Sequence, residues 1–390
     1  MNVPLLDLQA QYATIKDKVQ AALDEVFSSQ RFVLGTHVAA LENEIADYCG
    51  VPFAIGVASG TDALLLSLKA LGVGPGDAVV TVPFTFFATA GVVVNLGARP
   101  VFVDIEEAGF NMDPLSLSSF LDRECTSGSK AGKLVHKASG ATIKAILPVH
   151  LYGQCADMDE ILKIARHYSL PVVEDACQAI GATYRERCAG SMGDLGCFSF
   201  FPSKNLGGAG DGGMVITSNP QMAERVRLLR THGMQPKYYH SLVGFNSRLD
   251  ELQAAVLRVK LPYLRSWSDG RRQHALRYGE KFKSAGLLTS VTPPVMRPNR
   301  SHIFHQYMIR CRRRDELQAG LKTAGIGTDV YYPVSLHEQE CFRYLGYSSG
   351  DLPRAHAASK EVLALPVYPE LTEEQQNYVV SSIAAFYQGK

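Results

Sequence analysis

The chain has 390 residues, 46% of them hydrophobic, with 39 basic and 38 acidic side chains and a net charge of +1. That length suits one large domain plus a smaller one, and the balanced charge gives no bulk electrostatic basis for binding nucleic acid or an anionic membrane. No apolar run approaches the ~18 residues of a spanning helix, and the opening MNVPLLDLQAQY lacks the basic flank and apolar core of a secretory signal, so a cytoplasmic protein is expected. The eight cysteines include no CxxC pair and no Cys/His set with zinc spacing, so buried reduced thiols and no metal site are expected.

The first 50 residues have helical periodicity. Ile15, Val19, Ala22 and Val26 share one face, and LENEIADYCG closes a second helix at Gly50. From Phe53 onward, short apolar strands alternate with amphipathic helices. PFAIGVAS, DAVVTV, RPVFVDI, IKAILPVHL, LPVVED, CFSFF and GGMVIT are predicted strands. TDALLLSLKALG, ATAGVVVNLG, MDEILKIARHY and QMAERVRLLRTHG are predicted helices. This alternation predicts a mostly parallel sheet covered by helices on both faces, with its chemistry in loops beyond the carboxyl ends of the strands.

The stretch Cys125–Thr142 is polar and holds Lys130, Lys133, His136 and Lys137, which predicts a surface hairpin or loop. A long polar helix is expected from Leu264 to about Ala285, then a strand (HQYMIRC), a helix (RRDELQAGLKTAG) and a last helix opened by Thr372 and Gln375 as a capping box. The expected division is 1–262, an N-terminal arm with a large α/β domain, and 263–390, a small α+β domain.

Four stretches carry candidate chemistry. In VVEDACQ, Asp175 ends an apolar strand with Gln178 three residues on. Such an acid is the usual partner of a magnesium ion or a ribose, and it also suits a pyridine nitrogen. In CFSFFPSKNLGGAGDGG, Lys204 follows a very apolar strand and precedes five glycines between Gly207 and Gly213. A desolvated lysine has its ammonium form disfavoured and so acts as a nucleophile, whereas a lysine opening a surface turn does neither. In ASGTDALLLSL, Ser59, Gly60 and Thr61 lead into a helix whose free N–H groups suit a phosphate, or merely an ordinary N-cap. In VPFTFFATAG, Phe86 and Phe87 begin a helix; one is placed to stack on a flat ligand and at least one suits core packing.

In this order, and with RFVLGTHVAALENEIADYCG, PVHLYGQCADM, THGMQPKYYHSLVGFNSRLDELQAAVL and VYYPVSLH, the chain resembles the DegT/DnrJ/EryC1/StrS sugar aminotransferases over nearly its whole length. The resemblance implies a fold-type I transferase dependent on pyridoxal 5′-phosphate (PLP). Lys204 would hold the cofactor as a Schiff base, Asp175 would face the pyridine nitrogen and Gln178 the phenolic oxygen. Gly60, Thr61 and Ser199 would cradle the phosphate, Phe86 would stack on the ring, and Asn246 would reach the phosphate of a neighbouring subunit in a homodimer. Lys237, Tyr238, Arg248, Tyr331, Tyr332 and His337 would border a keto-sugar nucleotide. The implied reaction moves an amino group from an amino acid, L-glutamate in the family, to a hexose ketone. KYYH followed by NSRLDELQ resembles members acting at C3 of a dTDP- or UDP-linked sugar. The alternatives are a C4-directed enzyme, an amino-acid aminotransferase using Arg310 or Arg312, and a non-catalytic PLP-binding protein. A dehydratase of the same family would carry histidine where this chain has Lys204.

Overall fold

The computed structural model describes residues 1–127 and 133–389. Seven strands build the central sheet: β1 (Phe53–Val57), β2 (Asp77–Thr81), β3 (Arg99–Phe102), β4 (Thr142–Ile146), β5 (Val173–Asp175), β6 (Leu195–Ser199) and β7 (Gly213–Thr217). β3, β2 and β4 run parallel, as do β6 and β5. Parallel bridges Ile146–Val172 and Val149–Asp175 join the two sets. The resulting order is β1-β7-β6-β5-β4-β2-β3.

The expected mostly parallel sheet is present, with β7 as its antiparallel strand against β1 and β6. A parallel neighbour needs a crossover, usually a helix. The link from Ser199 to Gly213 contains no helix, so the chain returns directly. Alternate residues face different cores. Val80, Met214 and Ile216 join one apolar cluster and Val79 and Val215 the other, so the sheet is buried on both faces.

Each predicted strand and helix has a counterpart at its expected place. Gly50 caps the helix Thr36–Cys49 with φ 66°, the left-handed conformation that glycine adopts without strain. That helix begins on a longer-range device: the buried Glu251 carboxylate accepts from the N–H groups of Gly35 at 2.9 Å, His37 at 2.5 Å and Val38 at 3.1 Å. The periodicity did not single out the helices Pro114–Glu124, Glu251–Lys260 and Pro353–Glu361 or the strand Val362–Leu365. The first opens with Asp113 as N-cap and Pro114 at its first position, a local signal that was present in the sequence.

In the polar stretch, Cys125–Ser127 pairs antiparallel with Leu134–His136, which meets β4 at Thr142. The expected hairpin is therefore present, while its tip, with Lys130, lies outside the described residues. The eight cysteines are free thiols, and Cys341 is the exposed one.

After the helix Glu251–Lys260, the helix Leu264–Ser284 leads to a three-stranded antiparallel sheet of Val291–Thr292, Tyr307–Cys311 and Val362–Leu365. Tyr278, Phe282, Leu317, Leu321, Val379 and Ile383 form its apolar cluster. The N-terminal arm joins it through Val3, which is fully buried and bridges to Ile326. Thr372 and Gln375 form the expected capping box on Glu373–Gln388.

Candidate active site

The carboxyl ends of the central strands open into a cavity of about 460 Å³, within the range of small-molecule sites. Ser59, Gly60 and Thr61 enter its wall after β1, Thr85 and Phe86 after β2, Val149 after β4, Asp175 and Gln178 from β5, and Ser199 from β6. Lys204, His305, Tyr331 and Tyr332 close the ring.

Asp175 is 5% exposed. Its Oδ2 accepts from the Thr89 hydroxyl at 2.8 Å and its Oδ1 from the Cys177 N–H at 3.2 Å. Its backbone is clamped on both sides, since its N–H donates to the Pro148 carbonyl at 2.9 Å and its carbonyl accepts from the His150 N–H at 3.0 Å. Lys204 lies in the same wall. Burial disfavours its ammonium form and lowers its pKa from the ordinary 10.5, with the Cys177 thiol and the Asp175 carboxylate pulling the other way. The result is an amine with a raised share of the neutral, nucleophilic form.

The opposite end of the cavity suits an anion. Gly60 begins the helix Gly60–Ala70, Ser59 is its N-cap, and the Ser59 hydroxyl accepts from the Asp62 N–H at 3.0 Å. The first-turn N–H groups and the helix dipole face the cavity there. Gly60 is required by close approach, because a Cβ on it would sit 2.6 Å from the Ser199 Cβ and 3.0 Å from the Cys177 Sγ. Asp62 is not among the residues that line the cavity, whereas Asp211 is. In the glycine run, a Cβ at Gly207 would meet the Pro202 carbonyl oxygen at 2.2 Å, which explains glycine there.

Phe86 is 55% exposed on the wall, with its ring centroid 6.2 Å from that of Tyr332. Phe87 turns instead to Phe342, centroids 5.6 Å apart, so the two aromatics divide between cavity and packing. The Gln178 amide accepts from the Tyr152 N–H at 2.8 Å and donates to the Tyr332 hydroxyl at 3.0 Å. Burial pushes the Tyr332 phenol above its ordinary pKa, so it stays a neutral hydrogen-bonding group.

The structure therefore brings together Gly60, Thr61, Phe86, Asp175, Gln178, Ser199, Lys204, Tyr331 and Tyr332. It leaves five other expected residues outside this cavity. Lys237, Tyr238 and Asn246 are exposed and Arg248 is half-buried on the segment 231–250, with the Lys237 amine 4.9 Å from the centre of the Tyr238 ring. His337 is 2% exposed and packs edge-on to Tyr347, with both ring nitrogens unpartnered among the described residues. Sequence reasoning had missed Thr89, Ser203, Asp211, His305 and Gln306. Thr89, Ser203 and Asp211 stood inside the quoted stretches VPFTFFATAG and CFSFFPSKNLGGAGDGG without being singled out, and His305 and Gln306 open a segment read only as a strand.

No arginine lines the cavity among the described residues. Arg310 is engaged with Glu361 at 2.7 Å. The arrangement suits a flat ligand with an anionic tail at the helix end, a ring nitrogen protonated opposite Asp175, and a carbonyl within reach of an amine.

Relatives share this architecture. A protein from Geobacillus stearothermophilus named Pleiotropic regulatory protein is 50% identical over 387 residues, 99% of each chain. A UDP-N-acetyl-3-dehydro-alpha-D-glucosamine 3-aminotransferase from Acidithiobacillus ferrooxidans is 42% identical over 96% of this chain and 95% of its own. The crystal structure of DesV from S. venezuelae, in complex with a ketimine intermediate, superposes with a TM-score of 0.90 at 39% identity, covering 99% of this chain and 98% of that one. With residues 13–384 matching it, the chain belongs to the DegT/DnrJ/EryC1/StrS aminotransferase family.

Proposed function

We propose that this protein is a PLP-dependent aminotransferase that moves an amino group from an amino acid, L-glutamate, to C3 of a keto-hexose linked to dTDP or UDP. The observation that carries it is a desolvated amine and a buried carboxylate, Lys204 and Asp175, lining one cavity that ends on a helix N-terminus. The 3-aminotransferase among its relatives, and the KYYH and NSRLDELQ segments, support C3 over C4.

Lys204 would hold PLP, with Asp175 opposite the ring nitrogen, Gly60, Thr61 and Ser199 around the phosphate, and Phe86 against the ring. When bound, the cofactor supplies an aldehyde that condenses with amines and a protonated ring that accepts electron density from the neighbouring carbon. Asp175 keeps negative charge beside that ring, and Thr89 keeps Asp175 in place. Lys204 takes the proton from the donor's Cα in one half-reaction and delivers one to the sugar carbon in the other. Tyr331 and Tyr332 wall the substrate side.

Asn246, Lys237, Tyr238 and Arg248 lie outside the cavity of their own chain, which suits a homodimer in which they serve the partner's site. A cytoplasmic location and a division at residue 262 belong to the same proposal, the latter supported by the separate apolar cluster around Tyr278.

The test supplies PLP, glutamate and C3- or C4-keto-sugar nucleotides to the purified protein and detects the amine by mass. Amine from the C3 ketone is expected; amine only from the C4 ketone would overturn the regiochemistry. A second reading, a PLP-binding regulator without turnover, is favoured by the name of the Geobacillus relative. On that reading, cofactor absorbance stays unchanged when glutamate is added; a transaminase loses it.

A further inference from the structure

Lys204 is carried by a loop from Phe200 to Gly212 that contains no helix or strand. Its base is tied together, since the Phe200 N–H donates to the Gly212 carbonyl at 2.8 Å and the Lys204 N–H to the Phe201 carbonyl at 2.8 Å. Ser203, Lys204, Asp211 and Gly212 line the cavity, whereas the lobe Gly207–Gly210 is not part of its wall. Three glycines in four residues leave that lobe with little conformational preference of its own. Its one backbone–backbone hydrogen bond among the described residues runs from the Gly208 N–H to the Phe200 carbonyl at 2.8 Å.

Two side chains of the helix Glu251–Lys260 supply what the lobe lacks. Gln253 Oε1 accepts from the Ala209 N–H at 2.7 Å, and the Lys260 amine donates to the Gly207 carbonyl at 2.7 Å. At positions seven apart, the two share one face of the helix. The glycines make room for this clamp. A Cβ on Gly208 would lie 2.8 Å from Gln253 Oε1, and one on Gly210 would lie 3.0 Å from Gln253 Nε2. Neither Gln253 nor Lys260 lines the cavity, so each can act there only through the loop.

We propose that Gln253 and Lys260 are positioning residues for Lys204: from one helix face they clamp the glycine lobe and so keep the lysine in the cavity wall. The proposal rests on Lys204 being the lysine that holds PLP.

The test is a double-mutant cycle on PLP affinity, read by absorbance titration of the purified protein. Gln253→Met keeps the bulk of the side chain and loses the acceptor. With Lys204 present, affinity should fall about tenfold, the scale of one hydrogen bond lost. In the Lys204→Ala background, where PLP binds noncovalently, the same substitution should change affinity by less than about twofold. Gln253→Glu, which retains an acceptor for the Ala209 N–H, should recover most of the loss. Lys260→Met should behave as Gln253→Met does, and it carries the cycle if that variant does not fold. Equal losses with and without Lys204 would show a general structural role and overturn the proposal, as would no loss in either background. A wild-type protein in which borohydride fixes no PLP would instead overturn the cofactor reading, a result obtained before any variant of the helix is made.

Discussion

Glu174 and Asp175 are neighbouring acids on one short strand, and the fold uses them in opposite ways. Successive side chains on a strand point to opposite faces. Glu174 points into the interior, where it is 0% exposed and accepts from His150 Nε2 at 2.7 Å and from the N–H groups of Gly190 at 2.9 Å, Met192 at 2.6 Å and Gly193 at 2.5 Å. His150 accepts from the Ala156 N–H at its Nδ1, 3.1 Å away, so it meets Glu174 as a neutral donor. Asp175 points into the cavity with two donors and room for a ligand. A carboxylate saturated by backbone holds structure together, whereas one left partly unsatisfied beside a desolvated lysine is poised for chemistry.

The most severe way to probe the cavity side is Lys204→Ala. Turnover should fall on the order of 10⁴-fold or more, borohydride should no longer fix the cofactor, and PLP should still bind noncovalently. Full activity in that variant would end the assignment. On the structural side, Glu174→Ala strands four donors, two of them on the buried His150 and Gly190, and should cost roughly 3–5 kcal/mol of stability, read by denaturant unfolding. A loss below about 1 kcal/mol would mean the network is not structural.

Asp175→Asn should do the reverse. Melting should barely move while the rate drops about 10²–10³-fold, the scale of losing one preorganised electrostatic partner. Near-normal turnover would contradict the role given to Asp175.

The smallest effect is in the apoprotein. The pKa of Lys204 is lowered by folding, so between its folded value and 10.5 the unfolded chain binds more protons and stability rises with pH. Its cost is fully present below the folded pKa and gone above the unfolded one. Lys204→Met should therefore stabilise the apoprotein near neutrality, with the advantage shrinking towards pH 10.5. A melting difference that stays constant with pH would show that the lysine is not desolvated.

Much of this was legible from local pattern. The strand ending at Asp175, the glycine run after Lys204 and the lead-in to Gly60 are contiguous motifs whose spacing already carries their geometry. Thr89 stood in a quoted motif, VPFTFFATAG, that drew attention to its aromatics, and His305 and Gln306 open a segment whose pattern marked only a strand. Thr89 acquires its role only when a helix after β2 packs beside β5, 86 residues away in sequence. His305 reaches the cavity because the chain returns there 100 residues after Asn205, with which its Nδ1 pairs. His337 was legible as part of VYYPVSLH, yet its short turn directs it to Tyr347 rather than into the cavity.

By itself the amino-acid sequence determined the alternation of strands and helices, the caps at Gly50 and Thr372, and the lysine and acid at the ends of β6 and β5, because periodicity and capping depend on residues a few positions apart. The tertiary structure alone decided which of two adjacent acids meets the ligand's side, which aromatic of the Phe86–Phe87 pair faces the cavity, and that a distant histidine stands beside Lys204. Those outcomes depend on strand register and long-range packing, which bring together groups that no local pattern connects.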